Sequence, residues 1–273
     1  MGEPIATGVE PSDEGCIRVN QTDSVATITI SRPGKHNALS LAMWRQLHDA
    51  AITVASDRSI RVVVIRGEGQ DAFSSGADIS EFGEVRQNAA TAESYSDTIE
   101  QAELTLIRSR KPILALLHGI CAGGACGIAL ACTLRFADER FRFSIPAARL
   151  GVVYHQTAVD RLVQQVGPST AMDILMTGRF LAADEAHVCG LVDAVYPAEV
   201  VEERVYEYAG QIAASAPLSV EGAWAGVQAA LHPHDAALRK EVARLQSAAH
   251  ESADYREGIR AFLEKRPPVF GRP

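Results

Sequence analysis

Ile113-Leu-Ala-Leu-Leu-His-Gly-Ile-Cys-Ala-Gly-Gly-Ala-Cys-Gly-Ile-Ala-Leu-Ala131 is the stretch of sequence that decides the fold. Its first residues are aliphatic and predict a short buried strand, while the residues from Ala125 onward predict a buried helix. The uncharged run continues to Leu134, so it is long enough for a transmembrane helix. The glycines clustered between Gly119 and Gly124 would break such a helix, so we expect a buried strand, a turn and a helix instead.

A second glycine-centred turn lies upstream, at Phe73-Ser-Ser-Gly-Ala-Asp-Ile79. We expect each turn to leave one backbone N–H free to point at a ligand oxygen. Two such donors can stabilise a carbonyl that becomes an oxyanion. No Asp or Glu occurs between Gly119 and Ala137, and Ser144-Ile-Pro-Ala-Ala-Arg149 contains none either. The sequence therefore predicts the electrophilic half of an active site without the usual acid and base.

The composition favours an ordinary α/β protein in the cytoplasm. The chain has 273 residues, of which 47% are hydrophobic, so it is long enough to bury a large core. Its net charge of −8 argues against nucleic acid as the main partner. The 5 cysteines lack CxxC spacing and three fall in one apolar stretch. We interpret them as small buried side chains in a reducing cytosol, and not as metal ligands or disulfides.

Three parts follow one another along the chain. Residues 1–12 are rich in Pro, Gly and acidic side chains and are predicted to be a disordered tail. Residues 13–199 repeat the order strand, turn, helix, which predicts an α/β core. Residues 200–273 are mostly helix-forming and amphipathic, so they are expected to pack on that core or on another subunit. The predicted interruptions of this helical part are Pro217, Pro233 and Gly258.

Local patterns predict the elements around the two turns. Ser40 is expected to cap a helix that runs to about Ala55. Alternating or continuous β-branched residues predict strands at 25–30 and 61–66. Further helices are predicted at 89–109, 158–166 and 183–189.

Four segments together resemble the crotonase (enoyl-CoA hydratase/isomerase) superfamily. They occur in the family's order, at residues 29–39, 72–79, 119–130 and 182–192. The resemblance implies a ββα spiral core with a C-terminal α-helical region, assembled as homotrimers or dimers of trimers. It also implies a coenzyme A thioester as substrate, with no metal or redox cofactor and no membrane.

The resemblance places the functional residues by position. The oxyanion donors would be the backbone N–H groups of Ala77 and Gly124. Coenzyme A would lie against the loop at 35–38 and the segment 75–79, namely at Lys35, His36, Ala38, Ser75, Asp78 and Ile79. The segment Glu257–Arg266 matches the family's nucleotide-holding pattern and implies roles for Phe262 and Lys265. The alternative for Lys265 is a cationic helix end, and the alternative for Asp78 is a cap on the following turn.

The sequence departs from the family where a hydratase carries its two glutamates. These positions fall on Gly127 and Ala147, so hydration by the standard route is disfavoured. The stretch Leu150-Gly-Val-Val-Tyr154 resembles the methylmalonyl-CoA decarboxylase branch, where a tyrosine at this place lines the acyl pocket. Decarboxylation is the favoured chemistry, because loss of CO₂ forms the enolate without a base. Tyr154 is then a pocket-lining residue and a candidate proton donor.

Two alternatives stay open. A hydratase or isomerase could use a base elsewhere, with Glu81, Glu84 and His155 as candidates, although each is expected to be a surface or structural residue. The chain could also bind acyl-CoA without converting it, as a sensor or structural subunit. A Tyr154 hydroxyl pointing out of the pocket, with no titratable group near the thioester, would favour the second alternative.

Overall fold

The computed structural model describes residues 14–271 as two β-sheets surrounded by helices. The strands are β1 (Cys16–Thr22), β2 (Val25–Ser31), β3 (Val62–Gly67), β4 (Ala72–Ser74), β5 (Ile113–Leu117), β6 (Ile120–Ala122), β7 (Leu134–Asp138), β8 (Arg142–Ser144), β9 (Leu181–Ala182) and β10 (Ala194–Tyr196). The helices are α1 (Leu41–Ser56), α2 (Phe82–Val85), α3 (Ala89–Arg108), α4 (Gly124–Ala131), α5 (Gln156–Thr177), α6 (Ala183–Val188), α7 (Val201–Ala213), α8 (Pro217–Leu231), α9 (Ala236–Glu251) and α10 (Ala253–Glu264). Short 3₁₀ helices cover Pro33–Lys35, Ile79–Glu81 and Pro146–Leu150.

The chain alternates between the two sheets in a repeated ββα unit. The large sheet has the order β1-β2-β3-β5-β7-β10 and is parallel from β2 onward, while the small sheet has the order β4-β6-β8-β9. Strand β3 enters the large sheet, β4 enters the small one, and α2 and α3 follow. The sets β5, β6, α4 and β7, β8, α5 repeat this order, so each unit moves one strand along both sheets. This is the predicted ββα spiral.

Both faces of the large sheet are buried, which explains its continuous aliphatic strands. Val63 and Ile65 belong to the main core, which also contains the fully buried Trp44 of α1. Val62 and Val64 face the other way and pack in a second cluster with residues of α7. The first helix after residue 200 therefore covers the outer face of the core sheet.

Most predicted elements are confirmed within one or two residues. Ser40 caps α1 by accepting a hydrogen bond from the Met43 N–H. The helix predicted at 89–109 is α3, which ends at Arg108. The predicted helix at 158–166 is too short, because the helix resumes after a break at Gly167, where φ is 75° and ψ is 165°. Gly258 lies inside α10 and does not interrupt it. The predicted tail at residues 1–12 lies outside the described residues.

The uncharged stretch between Ile113 and Ala131 contains the predicted strand, β5, and the predicted helix, α4. Between them, part of the predicted turn forms the short strand β6, which was not predicted. Across residues 14–271, none of the helices is both long enough and apolar enough to span a membrane. The cysteines are all free thiols, and four of them are buried; Cys189 is half-buried.

Candidate active site

The two glycine-centred turns meet at the ends of neighbouring strands. Strands β4 and β6 are parallel and adjacent in the small sheet, and each is followed by one of the turns. Gly76 has a φ of +92°, and a Cβ on it would lie 2.9 Å from the Gly124 nitrogen and closer still to the Ala122 carbonyl oxygen. Only glycine allows this backbone approach, because any side chain would force the two turns apart.

Ala77 and Gly124, one from each turn, line the same cavity. Gly124 is the first residue of α4, and the first N–H of a helix has no intrahelical acceptor. Ala77 pairs with Leu39 through the Gly76 carbonyl and the Asp78 N–H, which leaves the Ala77 N–H outside that bridge. A Cβ on Gly124 would lie 3.8 Å from the Ala77 nitrogen, so the two backbones lie close together.

The cavity that contains Ala77 and Gly124 is about 140 Å³ and is mostly apolar. Its wall includes Phe82, Ile99 and Ala147, and its titratable side chains are Arg86, Tyr154 and His155. None of the wall residues is Asp or Glu among the residues that the structure describes.

Tyr154 is a half-buried wall residue whose hydroxyl is engaged by the backbone. The hydroxyl donates a 2.9 Å hydrogen bond to the Gly123 carbonyl oxygen, directly before the Gly124 donor. Burial raises the pKa of the Tyr154 phenol well above its usual value, and the nearby Cys126 and Glu103 add to the shift. The phenol is therefore neutral, and its bond fixes the peptide that carries the Gly124 N–H.

Glu103 is the residue that sequence analysis missed. It lies on α3, its side chain is only 1% exposed, and its carboxylate occupies the space beside Gly127. A Cβ at position 127 would lie 2.5 Å from the Glu103 Cδ and closer still to Oε1. A carboxylate thus enters from α3 at the point where α4 lacks a side chain.

His155 connects this buried carboxylate to the cavity. Its Nε2 lies 3.3 Å from Glu103 Oε1, an ion-pair distance at which the alignment is too poor for a regular hydrogen bond. Within residues 14–271, its Nδ1 has no hydrogen-bond partner. The side chain is 19% exposed and lines the cavity, so His155 is not a surface residue. The rings of Tyr154 and His155 are in tilted contact, with centroids 4.8 Å apart and an angle of 38° between their planes.

Glu103 and His155 each shift the pKa of the other. Burial raises the pKa of the Glu103 carboxyl, and the neighbouring His155 opposes that shift. Burial lowers the pKa of the His155 imidazole, but the charges of Glu103 and Glu100 outweigh it and the net shift is upward. His155 therefore titrates above its usual pKa of 6.5, where one side chain can serve as either acid or base.

Comparison with known proteins identifies the family. A family model described as enoyl-CoA hydratase/isomerase matches residues 20–273. The chain belongs to the enoyl-CoA hydratase/isomerase family.

Individual relatives of this family cover nearly the whole chain. The 2,3-dehydroadipyl-CoA hydratase of Escherichia coli K12 is 33% identical over 255 residues, which is 92% of this chain and 97% of the relative. The crystal structure of an enoyl-CoA hydratase/carnithine racemase from Magnetospirillum magneticum is 35% identical, with a TM-score of 0.88, and the match covers 93% of this chain and 95% of that one. An enoyl-CoA hydratase from Bacillus anthracis is 28% identical, with a TM-score of 0.87, over 93% and 98% of the two chains. The crotonase fold predicted from the sequence is thereby confirmed.

Of the residues that the family resemblance implies for coenzyme A, Ser75 and Ile79 line the cavity. The Ser75 N–H donates 2.9 Å to the His36 carbonyl, which ties the loop at 35–38 to the segment at 75–79. Lys35 Nζ lies 3.1 Å from Asp78 Oδ2, and Arg32 lies 2.7 Å from the same oxygen. Asp78 also caps the following 3₁₀ helix through the Ser80 N–H, as its alternative role predicted. The remaining members of the set are Ala38, which is buried, and Ile79, which is 57% exposed.

Other sequence candidates lie away from this cavity. Phe262 is 82% exposed and lines a separate cavity beside Tyr255 on α10, and Lys265 ends that helix as its C-cap. Neither residue lines the cavity of Ala77 and Gly124. Glu81 is turned toward α1, where its Oε2 accepts from the Leu41 N–H, and Glu84 is exposed. Neither glutamate is placed to act as the missing base.

Replacing Tyr154 with Phe is expected to lower kcat by about fivefold with little change in the melting temperature. A neutral hydrogen bond contributes roughly 1 kcal/mol, and here its loss loosens the Gly123–Gly124 peptide and not the reacting atoms themselves. Steady-state kinetics would measure this loss of kcat. Tyr255→Phe, which changes an exposed tyrosine, is the control. A loss of 10³-fold or more, in the range expected for a lost proton carrier, would contradict a positioning role and make Tyr154 the proton donor.

Proposed function

We propose that this protein converts an enoyl-CoA thioester, with a proton carried to or from the α-carbon region by His155. The backbone N–H groups of Ala77 and Gly124 would hold the thioester oxygen as the enolate forms. The proposal is carried by the buried Glu103 carboxylate, which lies against His155. His155 in turn lines the cavity of Ala77 and Gly124.

Glu103 equips His155 for proton transfer in two ways. Contact at Nε2 favours the tautomer with the proton on that nitrogen, which leaves the Nδ1 lone pair available. The carboxylate also stabilises the imidazolium that forms once Nδ1 has accepted a proton. A positioned acid–base group of this kind contributes roughly 10²- to 10⁴-fold in rate.

One proton carrier is sufficient for isomerisation of the double bond. Nδ1 would remove a proton from the carbon beside the double bond, the electrons would move to the thioester oxygen in the hole, and the same proton would return to another carbon. Hydration requires in addition that a water oxygen bonds to the β-carbon while the α-carbon gains hydrogen. The names of the family relatives in Escherichia coli and Bacillus anthracis, both hydratases, support an enoyl-CoA substrate. Assembly as a trimer or a pair of trimers remains part of the proposal.

Decarboxylation is the second candidate, and the apolar wall without carboxylates is the observation that favours it. In that reaction the bond to the substrate carboxylate breaks, CO₂ leaves, and the electron pair becomes the enolate. His155 or Tyr154 would then give a proton to the α-carbon. The sequence favoured this chemistry because positions 127 and 147 lack a base, and Glu103 with His155 supplies one that the sequence did not reveal.

Turnover assays on the purified protein would decide between these reactions. Hydration of crotonyl-CoA, isomerisation of a 3-enoyl-CoA and decarboxylation of methylmalonyl-CoA would be followed side by side, each with His155→Gln and Tyr154→Phe. The proposal predicts isomerisation or hydration that falls at least about 10²-fold in His155→Gln. Decarboxylation alone, with the greater loss in Tyr154→Phe, would overturn it in favour of the second candidate. Acyl-CoA binding without any turnover would support the non-catalytic alternative.

A further inference from the structure

Arg86 is a cavity-wall arginine for which the described chain supplies no acidic partner. It follows α2 directly and lines the cavity that contains the two oxyanion donors. Its Nε is buried and has no hydrogen-bond partner within residues 14–271, and no ion pair involves it there. By contrast, the buried Arg135 donates to the carbonyl oxygens of Leu191 and Cys132.

Two aromatic rings hold the Arg86 guanidinium in place. Its Cζ lies 4.1 Å from the ring centroid of Phe82 and 4.6 Å from that of Tyr95. Cation–π contacts of this kind stabilise the cation, but the rings do not accept its N–H groups. The terminal N–H groups remain available to a ligand, and an anionic acceptor would offset the free-energy cost of leaving them unpaired in a partly desolvated site.

The acceptor that best fits this position is a carboxylate. A planar guanidinium binds a carboxylate through two parallel hydrogen bonds. The thioester end of a ligand would be held at Ala77 and Gly124, whereas Arg86 enters the cavity from the junction of α2 and α3. Phe82 and Ile99 provide apolar wall for the carbon chain that joins the two ends.

We propose that Arg86 binds a carboxylate at the far end of the acyl chain, so that the substrates are CoA monothioesters of dicarboxylic acids. This rests on the proposed function only in that the cavity holds the acyl group of a CoA thioester. Arg86 is then a specificity-determining residue, and it takes no part in moving the proton.

Direct binding of saturated thioesters tests the assignment without any turnover. Affinities would be measured by calorimetry for succinyl-, glutaryl- and adipoyl-CoA against butyryl-, valeryl- and hexanoyl-CoA, which match them in chain length. The wild type is expected to bind at least one diacid thioester roughly 10-fold or more tightly than its neutral match, the range of a charged hydrogen bond. Arg86→Met should abolish that preference, and Arg86→Lys should restore part of it.

A matched control is available in Arg142, which stacks on Phe180 at 4.5 Å but does not line the cavity. Arg142→Met should leave the diacid preference unchanged. Equal binding of diacid and neutral thioesters by the wild type would overturn the inference even if Arg86→Met failed to fold. Because saturated thioesters undergo no hydration or isomerisation, this outcome would leave the proposed chemistry standing. Failure of turnover, in turn, would not alter the binding series.

Discussion

Replacing Glu103 with Gln is expected to lower kcat/KM by about 10²-fold or more while the affinity for a saturated acyl-CoA changes little. The substitution keeps the shape of the side chain but removes the negative charge 3.3 Å from His155 Nε2. Without that charge, the imidazolium formed during proton transfer is no longer stabilised in its buried setting. Steady-state kinetics together with calorimetric binding would separate the loss of catalysis from any loss of binding.

The neighbouring Glu100 provides a matched control on the same helix. Glu100 accepts a hydrogen bond from the Thr157 hydroxyl and contributes less than Glu103 to the raised pKa of His155. Glu100→Gln should therefore reduce kcat/KM by only a few fold. Equal losses in the two variants would show that Glu103 has no special role, and an active Glu103→Gln enzyme would refute the acid–base pair.

The pH dependence of activity gives an independent test of the same pair. If neutral His155 removes the proton, kcat/KM rises as pH passes its pKa, which lies above 6.5 in the wild type. In Glu103→Gln, burial is opposed only by the weaker effect of Glu100, so the midpoint of the residual activity should move to lower pH. Stability changes in the opposite direction: the contribution of His155 is present below pH 6.5 and is lost as pH rises through its folded pKa.

Gly127→Ala is expected to reduce activity about as much as Glu103→Gln does, and to lower the free energy of unfolding by about 1–3 kcal/mol. The added methyl group would occupy the place of the Glu103 carboxylate. Because Glu103 is fully buried, it can yield only by leaving its contact with His155. The sign of the stability change is diagnostic, since alanine in a helix is otherwise favoured over glycine by about 1 kcal/mol.

Three further variants separate the steric clash at position 127 from the gain in helix propensity that alanine brings. Gly226→Ala, in α8, adds the same methyl group where nothing lies within 4 Å, and it should be neutral or stabilising. In a Glu103→Ala background, Gly127→Ala should also cease to destabilise, because the group that it displaces is gone. Denaturant unfolding of the four variants would measure both effects. A destabilisation that persists without Glu103 would contradict the assignment of this space to the carboxylate.

The sequence was sufficient for the fold because the decisive signals are local. Aliphatic runs predicted β3 and β5, and the glycines between β6 and α4 predicted the turn that carries Gly124. The proposed oxyanion donors were assigned from the family resemblance, and their turns lie close together in the structure. The ends of helices and strands were predicted less accurately where the surroundings of a residue decide them. Gly258, for example, was predicted to interrupt the helical part but lies inside α10.

Glu103 could not be assigned from its neighbours in sequence, because its role depends on how α3 packs against α4. A signal was nevertheless present in the helix periodicity. The buried side of α3 consists of Tyr95, Ile99, Ala102, Glu103 and Leu106, so the glutamate lies on an apolar stripe. A charged residue on such a stripe requires a partner, and the partner, His155, is supplied by a distant segment. Only the tertiary structure joins them.

The parallel pairing of β4 and β6 has a consequence for how this protein could acquire new reactions. The Ala77 and Gly124 donors each follow one of these adjacent strands, whose spacing in any sheet is about 4.8 Å. The width of the proposed oxyanion hole would therefore follow from backbone geometry and not from the side chains around it. Acids, bases and anion-binding groups could then change during evolution while the hole keeps its dimensions.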